Sequence, residues 1–253
     1  YHEYPMFNTC QKKHTKKDKI ILGYHGNKVH LTGMYPKITS AIISLSKHYN
    51  IELWAIYDIE TLGKWDIGVP ENVKIKHIQW HPDVYATTMK DIDIGLVPAC
   101  MPIKNALKVN KFFLDSPEDY VIKFKMPSNP GRMAVFAKLG IPVVADFLPS
   151  HIQFIDHGRS GFLAETTGGW LKALQKLIES HELRNTISSE MHLIYKAKFN
   201  FDTQNINFYD WLKKFTSTQQ AASRIKFINS ELYTTPRDNF LFKYANVHTF
   251  FKK

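Results

Sequence analysis

Cysteine is scarce in this chain, and long apolar runs are missing. Only Cys10 and Cys100 occur among 253 residues, and they lie far apart. Two isolated thiols exclude a disulfide framework and indicate a reducing compartment. No stretch reaches the roughly 18 apolar residues that a membrane-spanning helix needs, and nothing resembles a signal peptide. The sequence therefore predicts a cytoplasmic protein, and a position at the inner face of the membrane also stays open.

Several motifs that carry well-known chemistry are also missing. There is no Gly-x-x-x-x-Gly-Lys-Ser/Thr loop, no Gly-x-Gly-x-x-Gly turn and no Gly-x-Ser-x-Gly elbow. These absences argue against nucleoside triphosphatases, dinucleotide-dependent dehydrogenases and α/β-hydrolases. No group of His, Cys, Asp and Glu has the spacing of metal ligands. The sequence predicts neither a metal site nor a resident cofactor.

Positive charge is in surplus, with 33 Lys and Arg against 23 Asp and Glu and a net charge of +10. Such a surplus fits a polyanionic partner, such as a phosphorylated ligand or an anionic membrane, and equally fits a solvated lysine-rich surface. The densest basic cluster, at 12–17, predicts a tail or linker over residues 1–18. The chain begins with Tyr1, so we expect a fragment that lacks a preceding domain, or a trimmed start.

Short apolar runs alternate with helical patterns along most of the chain. Strands are predicted at 19–23, 51–57, 73–78, 92–97, 143–145 and 162–164, and helices at 36–49, 82–89 and 132–139. This alternation is typical of an α/β fold, a Rossmann-like parallel sheet with helices on both faces. Helices follow at 170–178, 183–195 and 208–215. We therefore predict one domain over 19–200 and a C-terminal helix and tail over 201–253.

The most informative stretch runs from residue 128 to residue 164. It begins with the turn Ser128-Asn129-Pro130-Gly131-Arg132, continues as a helix that Gly140 ends, and leads through Pro142 into a buried strand. A polar turn that opens a helix presents backbone amides and the positive end of the helix dipole to an anion. The stretch therefore predicts a phosphate-binding corner of the sheet.

Taken in order, these features resemble the C-terminal, donor-binding half of a GT-B glycosyltransferase of the retaining group 1 type (family four). The matching motifs are Gly23 to His30, Asp93-Ile94-Gly95-Leu96-Val97-Pro98, the Ser128 to Arg132 turn, Gly140 to Ala145 and Gly158 to Leu163. The resemblance implies metal-free transfer of a sugar from a nucleoside-diphosphate donor (UDP, GDP or dTDP) to a saccharide or lipid-linked acceptor. It also implies a role in polysaccharide or glycolipid synthesis, with peripheral membrane contact as a further expectation.

The resemblance and the predicted sheet edge together give a set of candidate site residues. Arg132 and Lys125 are the candidates for stabilising the leaving diphosphate, with Lys123 as the competitor of Lys125 and a surface ion pair as the structural alternative for Arg132. The candidates for donor binding are His25, Gly26, Asn27, Lys28, Trp80, Ser128, Asn129, Gly131 and Arg132. His30 is an alternative to His25, and packing roles remain open for Trp80 and both histidines.

Two positions depart from the pattern of the family. Where such enzymes usually carry a pair of acidic residues, this chain has Val135 and Pro127. This favours an alternative in which the chain is a non-catalytic, GT-B-like binding module. A weaker third possibility is a nucleic-acid or membrane-surface binder driven by charge. Because no nucleic-acid motif is present, no nucleic-acid partner is predicted. A GT-B-shaped epimerase is conceivable, but no acid/base pair supports it.

Overall fold

A computed structural model describes residues 7–99 and 130–216, the last two without their side chains. Its centre is a six-stranded, all-parallel sheet with the strand order β3-β2-β1-β4-β5-β6. The strands are β1 Lys19–His25, β2 Asn50–Tyr57, β3 Lys74–Gln79, β4 Ile94–Val97, β5 Val143–Asp146 and β6 Phe162–Ala164. All six predicted strands are confirmed, and so is the Rossmann-like α/β class.

Helices connect the strands as an α/β fold requires. They are α1 Lys28–Thr32, α2 Lys37–Ser46, α3 Ile59–Leu62, α4 Tyr85–Met89, α5 Gly131–Leu139, α6 Pro149–Ile152, α7 Thr167–Glu179 and α8 His181–Ile194, which continues as a π-helical turn, Tyr195–Phe199. In α2, the buried residues Ile38, Ala41, Ile42 and Leu45 repeat at helical spacing and form one face. Helix α2 therefore presents one apolar face to the sheet.

Two hydrophobic clusters lie on opposite faces of the sheet. Alternate residues of β1 point to opposite sides, so that Leu22 belongs to one cluster and Ile21 to the other. The first cluster joins the sheet to α2 and α7 and includes the fully buried Trp170. The second joins it to α5 and includes Phe136. Both faces are covered, which explains why the central strands are apolar throughout.

The N-terminal segment packs against the body of the protein and does not behave as the predicted tail or linker, at least from Cys10 onward. The Cys10 amide donates to the Lys138 carbonyl at 2.8 Å, and the His14 ring lies 2.8 Å from the Gly140 carbonyl. The ammonium groups of Lys12 and Lys17 lie 3.0 and 2.8 Å from the buried Asp93 carboxylate. The basic cluster is therefore held by a buried acidic group, which corrects the prediction for this part of 1–18.

A separate unit begins at Phe201. Its described part is one helix, α9 Phe201–Thr216, which is longer than the predicted 208–215. Several large apolar side chains of this helix are exposed, among them Phe208 and Trp211, whose rings stack with their centroids 6.0 Å apart.

Candidate functional site

The strand order places one edge of the sheet in a special position. The chain order reverses between β1 and β4, which are neighbours in the sheet. In open parallel sheets, ligands collect outside the carboxyl ends of the strands at such a reversal. The chain leaves β1 at Gly26 and β4 at Pro98, and α5 begins beside them with Gly131 and Arg132. These segments define the candidate site.

Gly26 makes the turn after β1 in a conformation that suits glycine, with φ of +135°. Its amide donates to the Ile56 carbonyl at 3.1 Å, which fixes the turn against β2. A Cβ at this position would lie 2.8 Å from the Tyr24 hydroxyl and 3.4 Å from the Cδ of Arg132. The absence of a side chain therefore lets the backbone approach both Tyr24 and Arg132.

Asn27 and Lys28 stabilise the loop around this turn. The Asn27 side chain accepts from the Val29 amide at 3.0 Å and so caps α1. The backbone carbonyl of Asn27 accepts from the buried Tyr24 hydroxyl at 2.7 Å. Lys28 donates from Nζ to the carbonyls of Leu62 and Lys64, at 3.0 and 2.8 Å. The Lys28 ammonium therefore lies beside the site, where these two hydrogen bonds fix it to the 62–64 loop.

Arg132 brings a positive charge to the site. Its Nη1 donates to the Pro98 carbonyl at 2.7 Å, so that the guanidinium spans from α5 to the end of β4. Its guanidinium carbon lies 5.9 Å from the centre of the Tyr24 ring. Within residues 7–99 and 130–216, no carboxylate oxygen lies within 4.0 Å of it. The surface ion pair considered for Arg132 is therefore not formed with any described residue.

The start of α5 adds to this positive potential. Pro130 occupies the N-cap position and offers no side-chain acceptor, and the first turn of the helix contains no acidic residue. The positive end of the helix dipole is thus not neutralised by a side chain of the first turn. Gly131, another residue predicted for donor binding, is buried at the helix start.

His25 lies beneath the site as a packed neutral ring. It is buried, its ring centre is 5.1 Å from that of Phe136, and its Nε2 is 3.5 Å from the Arg132 carbonyl. Burial, helped by the Arg132 charge, lowers the pKa of His25 to about 3. The ring is therefore uncharged at neutral pH. His30, the alternative, belongs to α1 and is half-buried.

A cleft of about 390 Å³ opens beside the Gly26 turn. It is lined by Gly26, Asn27, Asp58, Leu62 and Trp80. Trp80 is 39% exposed, enough to offer an indole face to a ligand, and its ring centre lies 5.7 Å from that of Tyr85. Three of the residues predicted for donor binding thus line one cleft. Sequence reasoning missed Asp58 and Leu62, although Asp58 directly follows β2 and so had to lie at this edge.

Three predicted site residues remain to be placed. Lys125, Ser128 and Asn129 lie outside the described residues, as does the competitor Lys123. Val135, which stands where the family usually has an acidic residue, is buried in the core against the sheet.

Among the described residues there is no group of three or more His, Cys, Asp or Glu that could hold a metal ion. No described helix is long and apolar enough to cross a membrane.

Comparison with known proteins finds similarity at the level of the fold. No protein-family model and no curated protein sequence matches the chain. Solved structures do match. HepE from Anabaena, solved in complex with UDP and glucose, is 16% identical with a TM-score of 0.54, over 78% of this chain and 49% of its own. A Rickettsia africae glycosyltransferase is 13% identical with a TM-score of 0.54, over 79% and 49%.

Sucrose-phosphate synthase from Thermosynechococcus elongatus is also similar, at 12% identity and a TM-score of 0.54, over 79% of this chain and 46% of its own. The chain thus spans about half the length of each of these three structures. Identities this low establish the fold and not the activity. The α/β body described above therefore has the fold of the matching part of these glycosyltransferases, as the resemblance in the sequence predicted.

Proposed function

We propose that this chain binds a nucleoside-diphosphate sugar and forms the donor-binding half of a glycosyltransferase. One observation carries the proposal: the cleft beside the Gly26 turn has an exposed indole on its wall, and the side chain of Arg132, which makes no ion pair within the described residues, lies next to that turn. An aromatic face suits a base, and a guanidinium at a helix start suits a diphosphate. The shared fold with a glycosyltransferase solved with UDP supports the same ligand class.

The proposed chemistry is the stabilisation of a leaving diphosphate. As the bond between sugar and phosphate breaks, negative charge grows on the diphosphate, and pre-placed cationic groups and helix amides lower the barrier. Arg132 and the first turn of α5 would supply this stabilisation, with Lys125 as the further candidate cation. The acceptor would be a saccharide or a lipid-linked saccharide. A position at the inner membrane face and metal-independent, retaining transfer belong to the same proposal.

Binding is tested by thermal unfolding with UDP, GDP, dTDP and their sugar conjugates. Ligand at about one hundred times its Kd stabilises a protein by about 2.7 kcal/mol, which raises Tm by roughly 5–10 °C for a domain of this size. Arg132→Gln should abolish most of the shift. Arg159→Gln is the matched control, because Arg159 is exposed and pairs with Glu190 away from the cleft. No shift with any nucleotide, or equal shifts in both variants, would contradict the proposal.

The second candidate function is a binding module without turnover. The buried, apolar Val135 favours it, since no carboxylate can act from that position. A donor labelled in its sugar separates the two candidates. Release or transfer of the labelled sugar by this chain, lost in Arg132→Gln, supports the enzyme. Tight donor binding with no turnover, even when saccharide acceptors are added, supports the binding module.

A further inference from the structure

Among the described residues, Asp58 is the one acidic side chain that lines the cleft, and neither the motifs nor the proposed chemistry uses it. It follows directly after β2, so it lies at the same sheet edge as the Gly26 turn, one strand away. Trp80 follows β3, one strand further on, and lines the same cleft. Along this edge the chain therefore presents a glycine turn, then a carboxylate, then an exposed aromatic ring.

Hydrogen bonds from two neighbouring elements hold the Asp58 carboxylate in place. Its Oδ1 accepts from the Thr61 amide at 3.1 Å and from Nε2 of Gln79 at 3.3 Å. Gln79 is itself fixed, because its Oε1 accepts from the amides of Ile59 and Glu60 at 2.7 and 3.1 Å. Bonds from Thr61, and then from Gln79, lower the pKa of Asp58. The group is thus an oriented, ionised acceptor.

An ionised carboxylate restricts what can occupy the middle of the cleft. It repels phosphate, so the diphosphate must lie elsewhere, and Arg132 beside Gly26 provides that place. It attracts hydrogen-bond donors that carry no negative charge, and the two neighbouring hydroxyls of a ribose ring are such donors. In dinucleotide-binding sheets of the doubly wound type, an acidic residue downstream of the glycine turn binds a ribose hydroxyl in this way. The order of groups along the edge matches diphosphate, ribose and base.

We propose that Asp58 binds the ribose hydroxyls of the donor nucleotide and makes the site selective for ribonucleoside over 2′-deoxyribonucleoside diphosphates. This rests on the proposed function and narrows it: UDP- and GDP-type donors fit, and dTDP-type donors lose one hydroxyl contact. Val135, an apolar residue buried in the core, offers no carboxylate for such a contact. It acts as a specificity-determining residue and takes no part in the bond cleavage.

Calorimetric titration of the full chain with UDP and 2′-deoxy-UDP, and with GDP and 2′-deoxy-GDP, tests the assignment. The wild-type chain should prefer the ribonucleotide by about tenfold, as expected for one lost hydrogen bond to a charged group. Asp58→Ser should bring this ratio close to one, and it should also weaken binding of the deoxynucleotide, because the contact to the 3′-hydroxyl is lost as well. Serine is as good as aspartate at an N-cap, so α3 keeps its cap. Asp58→Asn, which keeps one acceptor oxygen, should give an intermediate ratio.

Asp66→Asn is the control for charge. Asp66 is exposed, lies 3.9 Å from the Lys28 ammonium and does not line the cleft, so removing its charge should leave the ratio at the wild-type value. A wild-type ratio near one, or a ratio that survives in Asp58→Ser, overturns the assignment and leaves the proposed function standing. No binding of any nucleotide by the wild-type chain overturns both. The two failures are therefore distinguishable.

Discussion

Replacing Asp93 by asparagine should destabilise the protein strongly, because this carboxylate holds the N-terminal segment to the sheet. Its side chain is 1% exposed and receives the ammonium groups of Lys12 and Lys17. Its Oδ2 also accepts from the Ile21 amide of β1 at 3.1 Å. Asparagine keeps the size of the side chain but leaves both ammonium groups without their counter-charge. The substitution therefore removes the charge, and it also replaces one of the two acceptor oxygens by an NH2 donor.

The size of the stability loss in Asp93→Asn depends on how exposed the two lysines are. Removing one partner of a buried ion pair costs about 3–5 kcal/mol. Lys17 is 37% exposed and can return to water, whereas Lys12 is 14% exposed and cannot do so fully. The loss should therefore lie near the lower limit, about 3 kcal/mol, which lowers Tm by roughly 6–12 °C. Urea unfolding followed by tryptophan fluorescence measures it. Asp91→Asn, at an exposed neighbouring position, should change stability by less than about 0.5 kcal/mol.

The pH dependence provides a second check on the same group. Burial alone would raise the pKa of Asp93, but the Lys12 charge and the bonds from Lys17 and Ile21 outweigh it and lower the pKa. The stabilisation is therefore fully present above the unfolded pKa of about 3.9 and is lost as pH falls through the folded value. Wild type and Asp93→Asn should converge in acid. A difference of less than about 1 kcal/mol at neutral pH, or one that persists unchanged in acid, would refute the reasoning.

Two further outcomes test the site and the packing of the N-terminal segment. Gly26→Ala should cost about 1–2 kcal/mol and weaken UDP binding, because its φ is positive and the new methyl group meets the Tyr24 hydroxyl. Gly168→Ala, with no atom within 4 Å of its Cβ, should instead gain about 0.5–1 kcal/mol, and urea unfolding compares the two. Burial lowers the pKa of His14 to about 4, so only the unfolded chain gains this proton between about pH 6.5 and 4. From pH 7 to pH 5, wild type should lose about 2 kcal/mol more than His14→Gln, and equal losses would contradict the burial argument.

The sequence was sufficient to predict the six strands of the sheet, but it did not predict three of the short helices that connect them. Each strand is a run of apolar residues bounded by polar ones, and that signal is local. Helices α1, α3 and α6 have five residues or fewer, too short for a helical repeat to appear in the sequence. The N-terminal segment was misjudged because its charge is local, while its partner Asp93 is more than 70 residues away. No pattern within the segment reports a buried counter-charge at that distance.

The candidate site shows the same division between local and distant signals. Gly26, Trp80 and Arg132 follow from a general rule, since each lies where a strand ends or a helix begins at the carboxyl edge. The bonds of Lys28 could not be foreseen, because its partners are carbonyls of a loop that only the fold brings near. Asp58 could have been found by applying the same rule to β2.

The two outer strands of the sheet bear on how this protein behaves at high concentration. An uncovered strand edge can pair with the edge of another molecule and seed aggregation. At one border, β3 carries Lys74 and Lys76, which flank Ile75 in sequence and share one face of the strand, and Lys76 lies over the Trp54 ring at 4.0 Å. At the other, β6 has only three residues. Short length and lysine charge are two ways in which proteins prevent such pairing, so neutralising both lysines should make the chain prone to self-association.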